Sequence, residues 1–81
     1  MTAKLKCQIV DGFMPNEKIA IIEGADGGFE EVTVPIQSIS ANQLLGASAV
    51  GSHEGKVLVE LPRESASGRW RMWVKASSIG G

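Results

Sequence analysis

The stretches VTVPIQSIS (residues 32–40) and MWVKASSIG (residues 72–80) decide the fold, because the second matches the first at an offset of 40. Each contains the pattern Val-x-x-x-Ser-Ile, at residues 34–39 and 74–79. Self-similarity at a fixed period constrains topology more strongly than local propensity does. The sequence therefore predicts one structural unit used twice.

The match extends over most of the chain. Residues 5–39 align with residues 45–79 when one gap is allowed in each direction. The further identities are Leu5 with Leu45, Val10 with Val50, Lys18 with Lys56, and Gly28 with Gly68. Short β-rich sequences share Val, Ile, Gly and Ser readily, so duplication and chance similarity both stay open here. The predicted strand count is the same in either case.

Alternation of apolar and polar residues at period two runs through the chain and predicts half-buried strands. Strands are predicted in KLKCQIV, KIAIIE, FEEVTV, LLGASAV, KVLVELP and RWRMWV. GADGG, residues 24–28, contains Asp-Gly, so FEEVTV is expected to return antiparallel to KIAIIE as a hairpin. Ile79 is expected to add one short pairing near the end of the chain.

The segment SANQLLG, residues 40–46, has Ser40 with Gln43 three residues later and then Gly46. This is a capping-box start with a glycine stop, and it predicts a short helical turn near residues 41–45. The resulting fold class is mainly β: a small, partly open barrel of five or six antiparallel strands. A six-stranded pseudo-two-fold barrel is the alternative.

The same alternation predicts which side chains point inward. The expected core is Leu5, Cys7, Ile9, Ile19, Ile21, Val32, Val34, Val57, Val59, Leu61, Trp70, Met72 and Val74. Trp70 is expected inside, and Trp73, three residues later, is expected on the outer face. Truncating Trp70 would then cost about 3–5 kcal/mol.

Composition narrows the class of protein. Eighty-one residues with 43% hydrophobic and 21% charged side chains predict one small folded domain. Cys7 is the sole cysteine, which excludes an internal disulfide and favours a cytoplasmic location. No apolar run approaches the ~20 residues that cross a bilayer, so no membrane partner is expected.

Charge is divided unevenly between the halves. Residues 1–40 carry three lysines against six acidic side chains, and residues 41–81 carry five basic against three acidic side chains. The candidate partner-binding residues are Arg63, Arg69, Arg71, Trp73 and Lys75. Alternate strand residues project together, so Arg69, Arg71 and Trp73 are expected to form one basic, aromatic patch.

That patch favours a non-catalytic binding module that contacts a protein partner. Single-stranded nucleic acid is the second interpretation, since Arg contacts phosphate and Trp stacks on bases. A homodimer is the third, with Glu30 and Glu31 of one molecule meeting Arg69 and Arg71 of another. The plain alternative is a structural surface on which the arginines pair with Glu31, Glu60 or Glu64 of the same chain.

No catalytic or cofactor site is predicted. His53 is the one histidine and is expected to be exposed in a turn, while Cys7 is expected to be buried and unreactive. Residues 24–28 are not followed by a helix, so they do not form a phosphate-binding loop. An enzyme, a metal site and a bound cofactor are therefore not expected.

Two stretches near the end resemble a known fold. VLVELPRES and GRWRMWVKASSI, about 25 residues in all, resemble the end of a Src-homology-3-like small barrel. Those folds end in an aromatic-Val step, a short 3₁₀ turn carrying Ser and a closing aliphatic residue, here Trp73-Val74, residues 75–77 and Ile79. The resemblance implies the barrel fold alone, because the loops that recognise Pro-rich peptides are not recognisable and Tyr is absent.

The chain ends in Gly80-Gly81, as ubiquitin-like sulfur carriers do. Those proteins pack a helix of several turns across their sheet, and residues 40–46 supply about one turn. A flexible tail is the expectation here.

Overall fold

The computed structural model describes residues 1–80 and is mainly β, as the alternation predicts. The strands are β1 (Thr2–Lys6), β2 (Gln8–Asp11), β3 (Glu17–Glu23), β4 (Phe29–Pro35), β5 (Leu44–His53), β6 (Lys56–Glu60), β7 (Arg71–Lys75) and β8 (Ile79–Gly80). Two 3₁₀ turns, Ile36–Ser38 and Ala76–Ser78, follow β4 and β7.

The strands form two antiparallel sheets that are not closed into a barrel. The larger sheet has the order β7-β6-β5-β1-β8, and the smaller has the order β2-β3-β4. The predicted hairpins are confirmed, with β3 paired to β4 and β6 paired to β7. The expected closing pair is also present, since Ile79 lies opposite Leu5 in β1.

The core lies between the sheets and contains most of the predicted residues. The buried apolar side chains are Ala3, Leu5, Ala20, Ile22, Val32, Val34, Leu45, Val59, Leu61, Met72 and Val74. Cys7, Ile9 and Val57 are half-buried and pack against this cluster. The pKa of the Cys7 thiol is raised by its burial, so little of the nucleophilic thiolate is present at neutral pH.

The inward face of β3 is the opposite of the predicted one. Ala20 and Ile22 are fully buried, whereas Ile19 and Ile21 lie half-buried on the outer face. Four consecutive apolar residues fit either face, so alternation does not fix the parity of this strand. Alternation from the first isoleucine predicts Ile19 and Ile21 inside, but the space beside β3 accommodates the small side chain of Ala20.

Trp70 is the second wrong assignment, because it is 56% exposed and does not belong to the core. Alternation places Trp70 on the face of Met72 and Val74 only if the strand reaches back to it. β7 begins at Arg71 instead, and Trp70 lies in a bend. Its carbonyl still accepts a hydrogen bond from the Leu61 amide at 2.8 Å, so the backbone is anchored while the indole turns outward.

The helical turn predicted at residues 41–45 is also wrong. Ser40 does cap this segment, since its Oγ accepts the Leu44 amide at 3.2 Å. Gln43, however, takes a φ of 62°, in the left-handed region, so the chain reverses and Leu44 begins β5. The capping signal is real, but it closes a tight turn, and Leu45 then enters the core.

The two halves of the chain share one order of elements. Ile39 of the first half pairs with Leu45 of the second, and Ile79 of the second half pairs with Leu5 of the first. Each 3₁₀ turn is anchored in the same way. The Ile36 amide donates to the Asn16 carbonyl at 3.0 Å, and the Ala76 amide donates to the Gly55 carbonyl at 2.9 Å.

A turn from each half contacts a strand of the other. The Ala25 amide, between β3 and β4, donates to the Trp73 carbonyl of β7 at 2.8 Å. The Ala66 amide, between β6 and β7, donates to the Glu31 carbonyl of β4 at 2.8 Å. These crossed contacts cover the middle of β4 and β7, one edge strand of each sheet, where unpaired backbone groups would otherwise be exposed.

The searched residues, 1–80, contain no helix with the length and apolar character needed to cross a membrane. Gly80 of β8 pairs with Lys4 of β1, so the final pairing includes one residue more than the predicted Ile79. A flexible tail is expected at Gly80-Gly81, but Gly80 is paired in a strand, and Gly81 lies outside the described residues.

Candidate functional site

The outer face of β7 carries three of the five predicted site residues. Arg71, Trp73 and Lys75 alternate with the buried Met72 and Val74, as expected for an edge strand packed on one side. Trp73 lies opposite Leu58 of β6 and is 40% exposed. The predicted outward position of this indole is confirmed.

Arg71 lies on this face but is already paired. Its Nη2 is 3.1 Å from Oε2 of Glu60, the residue directly opposite on β6, and its Nε donates to the same oxygen at 3.1 Å. This is the pairing that the plain interpretation of the patch expects. The Arg71 guanidinium is therefore neutralised locally before any partner arrives.

Arg69 is not part of the strand face, because it precedes β7 in the loop that contains Trp70. Its Nε lies 3.3 Å from Oε2 of Glu30, the second residue of β4. The predicted continuous row of Arg69, Arg71 and Trp73 is therefore wrong. The strand begins too late for Arg69 to follow the alternation.

Glu30 is the centre of a network that joins the two halves. Its Oε1 accepts hydrogen bonds from the Ser65 hydroxyl at 2.7 Å and the Ser67 hydroxyl at 2.5 Å. Ser65 is buried, and its Oγ also accepts the Arg69 amide at 3.0 Å. The hydroxyls of Ser67 and Ser65, with a smaller effect of Arg69, hold the pKa of the Glu30 carboxyl below its ordinary value.

Arg63 lies apart from the other predicted residues, exposed in the loop between β6 and β7. It does not line the groove described below. The structure brings Arg69, Trp73 and the face of β7 together, and it leaves Arg63 outside that group.

A groove of about 440 Å³ lies where the β3–β4 turn meets β7. Its apolar lining includes Phe29, Met72 and Trp73. Phe29 is 64% exposed, whereas Met72 is buried and forms the floor. The volume falls within the range of about 300–1,000 Å³ that is typical of small-ligand pockets. We call this feature the Trp73 groove.

The turn that forms one wall of the Trp73 groove is held in shape by local hydrogen bonds. The Gly24 amide donates to the Gly28 carbonyl at 2.7 Å, and Oδ1 of Asp26 accepts the Gly28 amide at 3.0 Å. Gly27 has a φ of 90°, which side chains rarely adopt. A Cβ on Gly24 would lie 3.6 Å from Cε of Met72, so this turn packs closely against the floor.

Charged side chains surround the apolar lining. Asp26 and Glu30 come from the first half, while His53, Lys56 and Arg69 come from the second. His53 is exposed next to the β5–β6 turn, as predicted, and lies 3.6 Å from Glu54. The Trp73 groove is thus an apolar slot with acidic and basic groups on its rim.

Sequence reasoning missed Phe29, Met72 and Lys56 as site residues. The hairpin signal in residues 24–28 predicted the turn but not its contact with Trp73, which lies more than 40 positions away in the chain. Met72 was correctly placed inward, and alternation cannot show that an inward side chain also lines a surface groove. The site is formed across the halves, so no local pattern predicts it.

Within residues 1–80, no group of three or more His, Cys, Asp or Glu side chains is arranged to hold a metal ion. Comparison of the chain with protein-family models, with curated proteins and with solved structures finds no match. Function is therefore inferred from the geometry of the Trp73 groove and its rim.

Proposed function

We propose that this protein is a non-catalytic binding module that takes a segment of a partner protein into the Trp73 groove. The observation that supports this most strongly is that two exposed aromatic side chains, Phe29 and Trp73, line the same groove as the buried Met72. Large aromatic side chains in a defined pocket supply much of the binding energy of protein interfaces. A rim of both charges fits a polypeptide better than a ligand of uniform charge.

The partner segment does not bind by extending the sheet at β7. The Trp73 carbonyl, in the middle of this five-residue strand, already accepts the Ala25 amide. Strand addition needs a continuous row of unpaired backbone groups. Recognition is therefore through side chains that enter the groove.

Single-stranded nucleic acid is the less favoured ligand. Arg69 and Arg71 are both paired with carboxylates of the same chain, so neither offers an uncompensated charge to phosphate. The dimer expected from Glu30 meeting Arg69 or Arg71 of a second copy would have to break these same pairs. A Src-homology-3-like relationship for residues 57–79 stays a proposal about the fold and has no part in this argument.

A random peptide library displayed on phage tests the proposal directly. Panning on the immobilised protein should enrich peptides that bind the wild type and not Trp73→Ala or Phe29→Ala. The loss should be large, because each substitution removes one aromatic wall of the groove.

Trp70→Ala is the matched control, since Trp70 is the other exposed indole and does not line the groove. Selected peptides should bind this variant as they bind the wild type. Failure to enrich any peptide, or equal binding to Trp73→Ala, would overturn the proposed function.

A further inference from the structure

Three basic side chains lie in one row across the outer face of the larger sheet. His53 of β5 is directly opposite Lys56 of β6, and Lys56 is directly opposite Lys75 of β7. Residues directly opposite on neighbouring antiparallel strands have their side chains on the same face, with Cβ atoms about 4.5–5.5 Å apart. We call His53, Lys56 and Lys75 the basic row.

The Lys56–Lys75 pair is the closer of the two contacts. The Leu61 amide donates to the Trp70 carbonyl just before β7, and the Ala76 amide donates to the Gly55 carbonyl just after it. Backbone groups alternate in direction along a strand, so the even-numbered residues of β7 form the hydrogen bonds to β6. Lys75 and Lys56 therefore form a non-hydrogen-bonded pair, in which side chains approach most closely. Like charges placed in this way destabilise a sheet.

The described residues, 1–80, offer Lys56 and Lys75 no ion-pair partner. Four residues along the same ladder, Glu60 lies directly opposite Arg71, and its Oε2 is 3.1 Å from the Arg71 Nη2. The Glu60–Arg71 pair therefore combines opposite charges, whereas the Lys56–Lys75 pair places two like charges together.

The basic row also adjoins the Trp73 groove. His53 and Lys56 line the groove, and Lys56 is the diagonal neighbour of Trp73, two residues along from its direct partner Leu58. At the end of the β3–β4 ladder that precedes the first 3₁₀ turn, the directly opposite pair is Glu17 and Pro35, and neither is basic. The basic row is thus confined to the half of the molecule that carries the indole.

We propose that the basic row is an anion-binding site that recognises a carboxylate side chain of the partner segment, next to the apolar residue held in the Trp73 groove. This inference rests on the proposed function and specifies its ligand as an acidic, apolar peptide. The carboxylate lies between Lys56 and Lys75 and relieves their repulsion. Repulsion in the unbound protein is the cost of this recognition.

The probe is a fluorescein-labelled hexapeptide, acetyl-Asp-Glu-Leu-Phe-Asp-Glu-amide, followed by fluorescence anisotropy. It should bind at low salt and weaken as salt rises, because the contacts are exposed ion pairs. Its amide analogue, with Asn and Gln in place of Asp and Glu, should bind more weakly. Lys56→Gln and Lys75→Gln should each reduce affinity up to about fivefold, the upper range for exposed pairs.

Lys75→Glu separates a binding role from a structural one. The substitution places opposite charges across the ladder, so it should raise the melting temperature while it weakens peptide binding by more than Lys75→Gln does. Lys6→Gln, on β1 away from the groove, is the control and should change neither property. A lower melting temperature for Lys75→Glu would overturn the assigned arrangement.

The remaining outcomes also decide the question. If the lysine variants bind the peptide as well as the wild type while Trp73→Ala does not, the basic row is not a ligand site, and the groove proposal stands. If Trp73→Ala also binds normally, the proposed function fails as well. Tighter binding of a ten-residue oligothymidylate than of the peptide, or no binding of either probe, would overturn the assignment of an acidic peptide.

Discussion

At the scale of single residues, the two tryptophans show how one strand boundary changes the role of a side chain. Both indoles are exposed, but only Trp73 lies on β7 and lines the groove. Trp70 precedes the strand by one residue and lies in a bend. The pattern RWRMWV predicts the inward position of Met72 and Val74 correctly and gives no sign of where the strand begins.

The first prediction concerns Trp70, whose truncation should cost little stability because its side chain is exposed. We expect Trp70→Ala to lower the free energy of unfolding by about 1 kcal/mol or less, as for an exposed side chain. Leu45→Ala, at a fully buried position, should cost about 2–5 kcal/mol. Urea unfolding of both variants measures this, and an equal loss at the two positions would show that Trp70 is buried after all.

The second prediction concerns Glu30. Its pKa is lowered in the folded protein by the Ser67 and Ser65 hydroxyls, so the unfolded state binds more protons in acid. The stabilisation is present above the ordinary glutamate pKa of about 4.5 and is lost as the pH falls through the lower, folded value.

Thermal melts of the wild type and Glu30→Gln between pH 7 and pH 3 test this. The wild type should be the more stable at neutral pH, and the difference should shrink in acid. A difference that does not change with pH would mean that the carboxylate charge has no part in the network.

At the scale of elements, periodicity predicted the strands and hairpins but not every face. Alternation fixes the inward face of β4, where Thr33 separates Val32 from Val34, and of β7, where the charged Arg71 and Lys75 occupy outward positions. In β3 the run of apolar residues fits both faces, and the choice depends on the space left by the opposite sheet. The segment after Ser40 is equally ambiguous. A capping serine can precede either a helical turn or a tight reversal of the chain, and the sequence does not distinguish the two.

The third prediction concerns the β5–β6 turn. Glu54 and Gly55 have φ values of 51° and 78°, and positive φ at both central residues defines a type I′ turn. Asn-Gly is strongly preferred there, whereas Glu rarely adopts this conformation. We expect Glu54→Asn to raise the melting temperature, since the exposed contact with His53 that it removes is worth little. A lower melting temperature would contradict this description of the turn.

At the scale of the whole molecule, the two halves share their elements and are joined by crossed contacts. The repeated pattern at residues 34–39 and 74–79 predicts one unit used twice, and each copy of the pattern contains a 3₁₀ turn. It could not predict that the turn at Ala25 crosses to Trp73 and the turn at Ala66 crosses to Glu31. Those contacts join distant parts of the chain, and the contact between Ala25 and Trp73 lies at the Trp73 groove.

The fourth prediction tests these crossed contacts. Ala25 and Ala66 are each the second residue of a tight turn, where Pro is favoured, but Pro lacks the amide that reaches the other half. Ala25→Pro and Ala66→Pro should each lower the free energy of unfolding by about 0.5–1.5 kcal/mol, the net value of one hydrogen bond. Chemical denaturation measures the loss, and stabilisation by both substitutions would show that the halves do not depend on these bonds.

Chemical-shift mapping of the ¹⁵N-labelled protein would show whether partners bind in the Trp73 groove, as we propose. On addition of a peptide selected by panning, we expect shifts in the Trp73 indole N–H, in the backbone amides of residues 24–29 and in those of residues 53–56. The Trp70 indole N–H, which Trp70→Phe assigns, should stay unchanged. Shifts centred on Trp70 or on β1, with the Trp73 indole unmoved, would show that the groove is not the binding site.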